Sequence, residues 1–455
     1  MAEDLAYGRL LAQFATQWRT RAMSDEVALK TRLHIIDTIA AIVSGSALEA
    51  GRAGRRYVES LGGREVASVI GTSIKAPIIE AALANGMAAH ADESDDSHET
   101  SQTHPGCGVL PAVLAVAEEV GSTGQEFIEA VNLGYEMTIR FGEAMAPAMS
   151  FAKSSLSCHA FGPLFGAGFA AGYLMRFDEE KYLILLNYLA QEASGLTTWR
   201  LDEAHTLKSY VFAGMPASNG VKAAAFVRSG FTGSGDVLNP ANRNFFDAFS
   251  DAMKPEKLYE NLDGPCRILE TDFKKYSVGF PIAAPISALE SILDQHAVKP
   301  GDIQAIRIRY LDDWYKVIGD ENRMPDLNLR YCMAVTILDG ALTFAAAHDE
   351  QRMLDPGVRA LGERISFLPA EPGQDRFEAR LEVDVSTETL TASQGLFVLG
   401  RKENPMSVEQ VHEKARELLE MVLDADEAQS VIDHVHALSE APDISALIRT
   451  MTVCR

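Results

Sequence analysis

The sequence predicts a mainly α protein, a large helical bundle domain into which a smaller α+β domain is inserted. Three observations lead there. Apolar residues recur at helical spacing through the first two thirds of the chain, the period drops to two near residue 300, and the helical period returns after about residue 405. At 455 residues the chain exceeds what one hydrophobic core usually fills, and 47% hydrophobic with 23% charged residues is ordinary for a globular protein. The expected division is residues 1–268 with 400–455 for the helical domain and 269–399 for the α+β domain.

Each element has its own signal. Ser24, followed by Asp25 and Glu26, caps a helix through Leu33, Ile36, Ile39 and Val43 with a stop at Gly45. Ser122 or Thr123 caps the segment GQEFIEAVNLGYEMTIRFGEAM. The near-apolar run CHAFGPLFGAGFAAGYLM, residues 158–175, approaches membrane-spanning length, but its histidine, proline and four glycines point to a buried helix of a soluble protein. Within it Gly166, Gly168, Ala170 and Ala171 suit close helix packing. Asp178 opens a helix in which Tyr182, Leu185, Leu186, Leu189 and Ala193 share a face, and Gly195 closes it. In AIRIRY, Ile306, Ile308 and Tyr310 alternate with Arg307 and Arg309, the pattern of a half-buried strand. RISFL at 364–368 and RLEVDVS at 380–386 repeat it across the turn-rich EPGQD. After GRKENP, Ser407 and Gln410 stand at capping-box spacing ahead of the helical VHEKARELLEMVL. GFTGSGDVLNP lacks the strand and helix context of a phosphate loop, and there is no repeat or low-complexity tract.

The net charge of −23 and pI near 4.9 argue against sequence-independent nucleic-acid binding, which needs a basic footprint. Small anions remain open as ligands, held by a locally basic pocket. Five scattered cysteines, an odd number with no CxxC pair, suggest neither a disulfide framework nor a zinc ribbon. The acids near the start stand where a signal peptide carries bases, so a cytoplasmic protein with no membrane partner is expected.

Titratable chemistry concentrates in HADESDDSHETSQTHPGC, residues 90–107, with three histidines and five carboxylates. A solvated acidic loop, a metal site and an acid/base site all produce such a cluster. His90, His98, His104 and Asp95 offer ligand types, but their spacing matches no helical HxxxH arrangement, so no metal site is expected. His104 stands directly before Pro105 and an apolar helix, an entrance that suits proton transfer or anion binding. His159 in LSCHAFGP reads equally as a satisfied core histidine, and Lys208 in HTLKSYVFAGMPASNG as a surface lysine.

Four segments in order resemble the MmgE/PrpD family, whose reactions include those of 2-methylcitrate dehydratase, cis-aconitate decarboxylase and iminodisuccinate epimerase. They are NGMAAHADESDDSHETSQTHPG, LSCHAFGPLFGAGFAAG, TLKSYVFAGMPASNGVKAA and ENPMSVEQVHEKARELL, and the likeness spans nearly the whole chain. The resemblance implies a homodimeric helical enzyme with the α+β domain as a lid and no required metal or organic cofactor. It implies His104 and His159 as proton-transfer groups and Lys208 as a catalytic residue and carboxylate anchor. Glu93 and Ser97 stand where the family often has Asp and Thr, and Lys275 and Tyr276 join the implied substrate-binding set. FKKYSVGFPIAAPISALES resembles the family's lid segment, where a histidine often follows, but Ala283 and Ala284 occupy that neighbourhood.

These residues suit a small di- or tricarboxylate. A lysine holding one carboxylate in a desolvated pocket contributes about 1.5–3 kcal/mol, and a histidine then moves a proton beside it. The expectation is a cofactor-independent lyase, dehydration ahead of decarboxylation. An isomerase or epimerase, or a carboxylate-binding member without catalysis, are the alternatives. With no lid histidine, cis-aconitate and 2-methylcitrate are expected to be handled poorly.

Overall fold

In the computed structural model, which describes residues 6–146, 154–240, 244–249, 252–319 and 323–453, the chain forms two units. Met1–Ala91, Asp95–Thr271 and Val408–Arg455 make the first, and Asp92–Ser94 with Asp272–Ser407 the second.

The first unit is helical because apolar faces recur at helical spacing between good caps. After α1 (Tyr7–Gln17), the Ser24 hydroxyl accepts the Val27 amide and starts α2 (Asp25–Ser46), which ends one residue beyond Gly45. Helix α3 (Glu49–Leu61) leads into a short ribbon, β1 (Ala67–Ser68) against β2 (Lys75–Ala76), and then α4 (Ile78–Ala89). Helix α5 (Pro105–Val120) ends at Gly121, whose φ of 63° is the left-handed C-cap that glycine adopts without strain. For α6 (Gly124–Met145) the cap is Thr123, not Ser122, through a reciprocal capping box with Glu126.

Helix α7 (Cys158–Leu174) is buried along its whole length, as its composition predicts. Its small residues allow close approach: a Cβ on Gly166 would lie 2.4 Å from the Gly134 carbonyl oxygen of α6. Among the described residues no single helix is long and apolar enough to cross a membrane. Asp178 caps α8 (Glu179–Glu192) through the Lys181 amide, and the short α9 (Thr206–Ser209) and one π turn (Tyr210–Gly214) lead into α10 (Met215–Arg228).

The second unit carries α11 (Ala283–His296), β3 (Ile303–Tyr310), α12 (Asp312–Ile318), α13 (Leu329–Asp339), α14 (Phe344–Ala347), α15 (Pro356–Gly362), β4 (Ile365–Pro369), β5 (Ala379–Val385) and β6 (Thr389–Gln394). The sheet order is β4-β3-β5-β6, with β3 parallel to β4 and antiparallel to β5. Ile306, Ile308 and Tyr310 of β3 and Leu381 and Val383 of β5 turn into the core with α11 and α13. On the other face Arg307 reaches Glu382 at 2.7 Å and Asp384 at 2.6 Å, and those hydrogen bonds hold the Asp384 carboxyl down at about 2.

The chain then rejoins the first unit through α16 (Val408–Leu419), α17 (Ala425–His436) and α18 (Ser445–Thr450). Lys414 of α16 places its Nζ 2.6 Å from Asp37 Oδ1 of α2, and both are buried. Cys107, Cys158, Cys266 and Cys332 form no disulfide with one another. Cys454 lies outside the described residues.

Candidate active site

Pro105 cannot extend a helix backwards, so α5 starts there and leaves His104 as its N-cap residue. His104 Nδ1 lies 2.7 Å from the Asp96 carbonyl oxygen and 3.2 Å from Asp95 Oδ2. Both neighbours accept, so Nδ1 carries the hydrogen and Nε2 holds the lone pair of a base.

His90 immediately follows α4 and points its Nδ1 at the same Asp95 oxygen, 2.9 Å away. Asp95 therefore orients two imidazoles at once. His90 is fully buried, which pushes its proton affinity down to about 3 against the pull of Asp95. It is a neutral ring at physiological pH.

The second residue of α7 is His159. Burial, then the neighbouring His104 and His90, lower its proton affinity well below the ordinary histidine value. Its ring stacks on Phe212 at 4.2 Å between centroids and 19° between planes, and His90 stacks on Phe212 at 4.4 Å and 16°. Two near-parallel rings that close to one phenyl must take its opposite faces, giving a His90–Phe212–His159 stack. His104 lies beside it, 5.2 Å from His90, 5.7 Å from His159 and 5.5 Å from Phe212, ring to ring.

Phe212 is held there by the π turn. Helix α4 passes so close that a Cβ on Gly86 would meet Ala213 and Gly214 backbone atoms at 2.9 Å. One turn earlier Lys208 brings its ammonium 5.3 Å from the Phe212 centroid and 5.4 Å from that of Trp199, within cation–π range. Lys208 is buried, not the surface lysine of the alternative reading, and its charge adds to the lowering of His90. The Trp199 indole N–H donates to Ser157 Oγ at 3.2 Å, which fixes that wall.

A second buried layer backs the loop. Asp96 Oδ2 accepts from the Tyr135 hydroxyl at 2.6 Å and lies 2.9 Å from His34 Nδ1, while Asp96 Oδ1 accepts from the Gly106 amide at 2.9 Å. Burial raises the Asp96 carboxyl, but those partners together outweigh it and the net shift is downward. The loop is thus not a solvated acidic one: Asp92, Glu93, Asp95 and Asp96 are all buried.

The first unit brings His104, His159 and Lys208 together, with His90, Asp95, Phe212 and Trp199 completing the group. Ser97 lies half-buried in the same loop. Glu93 belongs to the second unit, with φ of 55°, and its carbonyl and carboxylate take the Lys274 ammonium at 2.9 and 3.3 Å. Lys275 and Tyr276 both engage Glu290 Oε2 at 2.6 Å, so in this lysine pair it is Lys274 that meets Glu93. Ala283 and Ala284 begin α11, and Ala284 is part of that unit's core, where a side chain presents nothing to a ligand.

The sequence singled out the histidines and acids but missed Phe212, Trp199 and Lys274. Phe212 stands four residues after Lys208, which is the one signal it gave. For a metal, His90, Asp95 and Cys107 offer donor atoms within 4.8 Å of one another. The Cys107 sulfur, however, donates to the His104 carbonyl at 3.3 Å, which requires the protonated thiol rather than a thiolate ligand.

Comparison with known proteins agrees over both units. Residues 9–258 match the family model for the MmgE/PrpD N-terminal domain and residues 276–440 that for the MmgE/PrpD C-terminal domain. The chain is 23% identical to a cis-aconitate decarboxylase of Mus musculus over 94% of its own length and 90% of the relative's. It is 24% identical to that of Homo sapiens over 93% and 90%, and 22% to that of Aspergillus terreus over 97% and 95%.

Proposed function

The chain belongs to the MmgE/PrpD family, and from that premise we propose that it is a lyase that removes CO2 or water from a small di- or tricarboxylate by proton transfer at a carbon next to a carboxylate. The observation that carries this is the convergence of two imidazoles and an ammonium on Phe212: His104, His159 and Lys208. Lys208 would hold one substrate carboxylate. His104 Nε2, its ring fixed through Nδ1 by the Asp96 carbonyl and Asp95, moves the proton.

In decarboxylation the bond to one carboxyl carbon breaks, CO2 leaves, and the electron pair delocalises towards the remaining carboxylate until a histidine delivers a proton to carbon. In dehydration a histidine takes the proton beside the carboxylate, the pair forms the double bond, and hydroxide leaves as water with a proton from a second acid. Both need a base near neutral pKa and a positive group beside the developing enolate, and the site offers both. Neither needs a metal in this scheme, so dialysis against a strong chelator should leave turnover unchanged.

The test is incubation with a panel of polycarboxylates in deuterated water, read by NMR. It is led by cis-aconitate, the substrate in the relatives' names, and 2-methylcitrate. At least one member should give a decarboxylated or dehydrated acid. Those two should turn over more slowly than the best member, because positions 283 and 284 supply no imidazole. Deuterium exchange without elimination would make the protein an isomerase, and binding without either would make it a carboxylate-binding protein.

A further inference from the structure

We propose that His412 and His436 form a binding site for one divalent transition-metal ion of the kind imidazole holds, Zn2+, Ni2+ or Cu2+, outside the candidate active site. His412 lies on α16 and His436 is the last residue of α17. Their Nε2 atoms are 2.9 Å apart, with ring centroids 5.0 Å apart and planes at 74°. Without an ion, one Nε2 donates its hydrogen and the other accepts it, so at least one ring is neutral.

Metal–imidazole bonds are about 2.0–2.1 Å long, so two nitrogens at that separation bracket an ion at roughly 90°, the angle between adjacent positions of an octahedral or square-planar site. Small rotations of the two rings would turn both lone pairs onto the ion, which takes the place of the shared hydrogen. The remaining positions would go to water, since both rings are only partly buried.

The two nitrogens are held ready by packing. Val411 and Ala415 of α16 and Ala428, Val431, Ile432 and Val435 of α17 are buried, and the Asp424–Glu427 capping box fixes the start of α17. The surrounding charge is mixed. Glu409 and Asp433 attract a cation, Arg32 of α2 and Arg416 of α16 oppose it, and Arg416 is already paired with Glu409. Burial lowers the proton affinity of both rings, so the neutral, ligating form persists below the ordinary histidine range. His434 takes no part, because its Nδ1 is bonded to the Ser430 carbonyl at 2.7 Å.

The full chain, stripped with a chelator, is titrated with Ni2+ by calorimetry, followed through thermal unfolding with and without Zn2+, and loaded with Cu2+ for electron paramagnetic resonance. The wild type should bind one Ni2+, unfold at a higher temperature with Zn2+, and show hyperfine coupling of copper to imidazole nitrogen. His412→Gln or His436→Gln should each weaken Ni2+ binding at least tenfold, and the double variant should lose the coupling, with turnover unchanged. No binding by the wild type, or a double variant that binds as tightly, would overturn the site; the latter would point to His90, Asp95 and Cys107. Should a variant fold poorly, absence of nitrogen coupling in the wild type alone decides against it.

Discussion

His104 is the residue on which the chemistry turns, because its Nδ1 is committed to Asp96 and Asp95 and its Nε2 is the end left to meet a substrate. His104→Ala and His159→Ala should each lower kcat by about 100-fold to 10,000-fold, the usual contribution of a positioned acid or base. Steady-state assays beside melting curves check this, and full turnover in either variant would return that residue to a packing role. Asp95 acts through the rings it orients. Asp95→Asn keeps the shape but exchanges an ionised acceptor for a neutral amide, so kcat should fall by about 10- to 100-fold with KM nearly unchanged. A KM effect alone would mean that Asp95 meets the substrate directly. At this scale the sequence showed which groups can titrate, but not that Asp95 serves two histidines, because His90, Asp95 and His104 are joined by an irregular loop with no period to read.

Elements bring those residues together, and the contact of α4 with the π turn is the most demanding. The closeness of Gly86 to the Ala213–Gly214 backbone leaves no space for a methyl group. Gly86→Ala should displace the turn that carries Phe212, destabilise the fold by about 1–3 kcal/mol as overpacking does, and lower turnover beyond what the loss of stability explains. Denaturant titration with kinetics at low temperature separates the two effects, and a variant as active and as stable as wild type would refute the close contact. The helices capped by Ser24 and Asp178 and the strands β3 and β5 were legible because each has a cap or a clean alternation. Strand β6, TLTASQ, was not, since among its residues only Leu390 is buried and a polar strand at the sheet edge has no apolar period. The π turn left no signal either, because one extra residue per turn does not alter composition.

At the scale of the whole chain, residues 377 positions apart meet as the buried pair Lys414 and Asp37, tying the C-terminal α16 to α2. Burial raises the Asp37 carboxyl to about 6, above its unfolded value near 3.9, with Lys414 opposing that rise. Its contribution to stability is therefore complete below about 3.9 and is lost as pH rises through 6 and the buried group must ionise. Lys414→Met removes the cation that offsets this cost. The loss relative to wild type should grow from pH 5 to pH 8, towards the roughly 3–5 kcal/mol of a broken buried pair. Thermal unfolding at the two pH values measures it, and an equal loss at both would show that Asp37 does not ionise in the native protein.

The sequence by itself determined what is local: helical and strand periods, caps, the buried character of α7, the absence of a disulfide framework, and the family's motifs. Local hydrogen bonding and side-chain periodicity decide those features, and both are written in neighbouring residues. Only the tertiary structure decided that His90 and His159 stack on Phe212, that Lys208 is buried beside Trp199, and that Lys274 rather than Lys275 meets Glu93. Those outcomes depend on which surfaces pack against each other across long stretches of chain. A one-residue difference in which lysine turns inward costs nothing in local propensity, so only packing selects it.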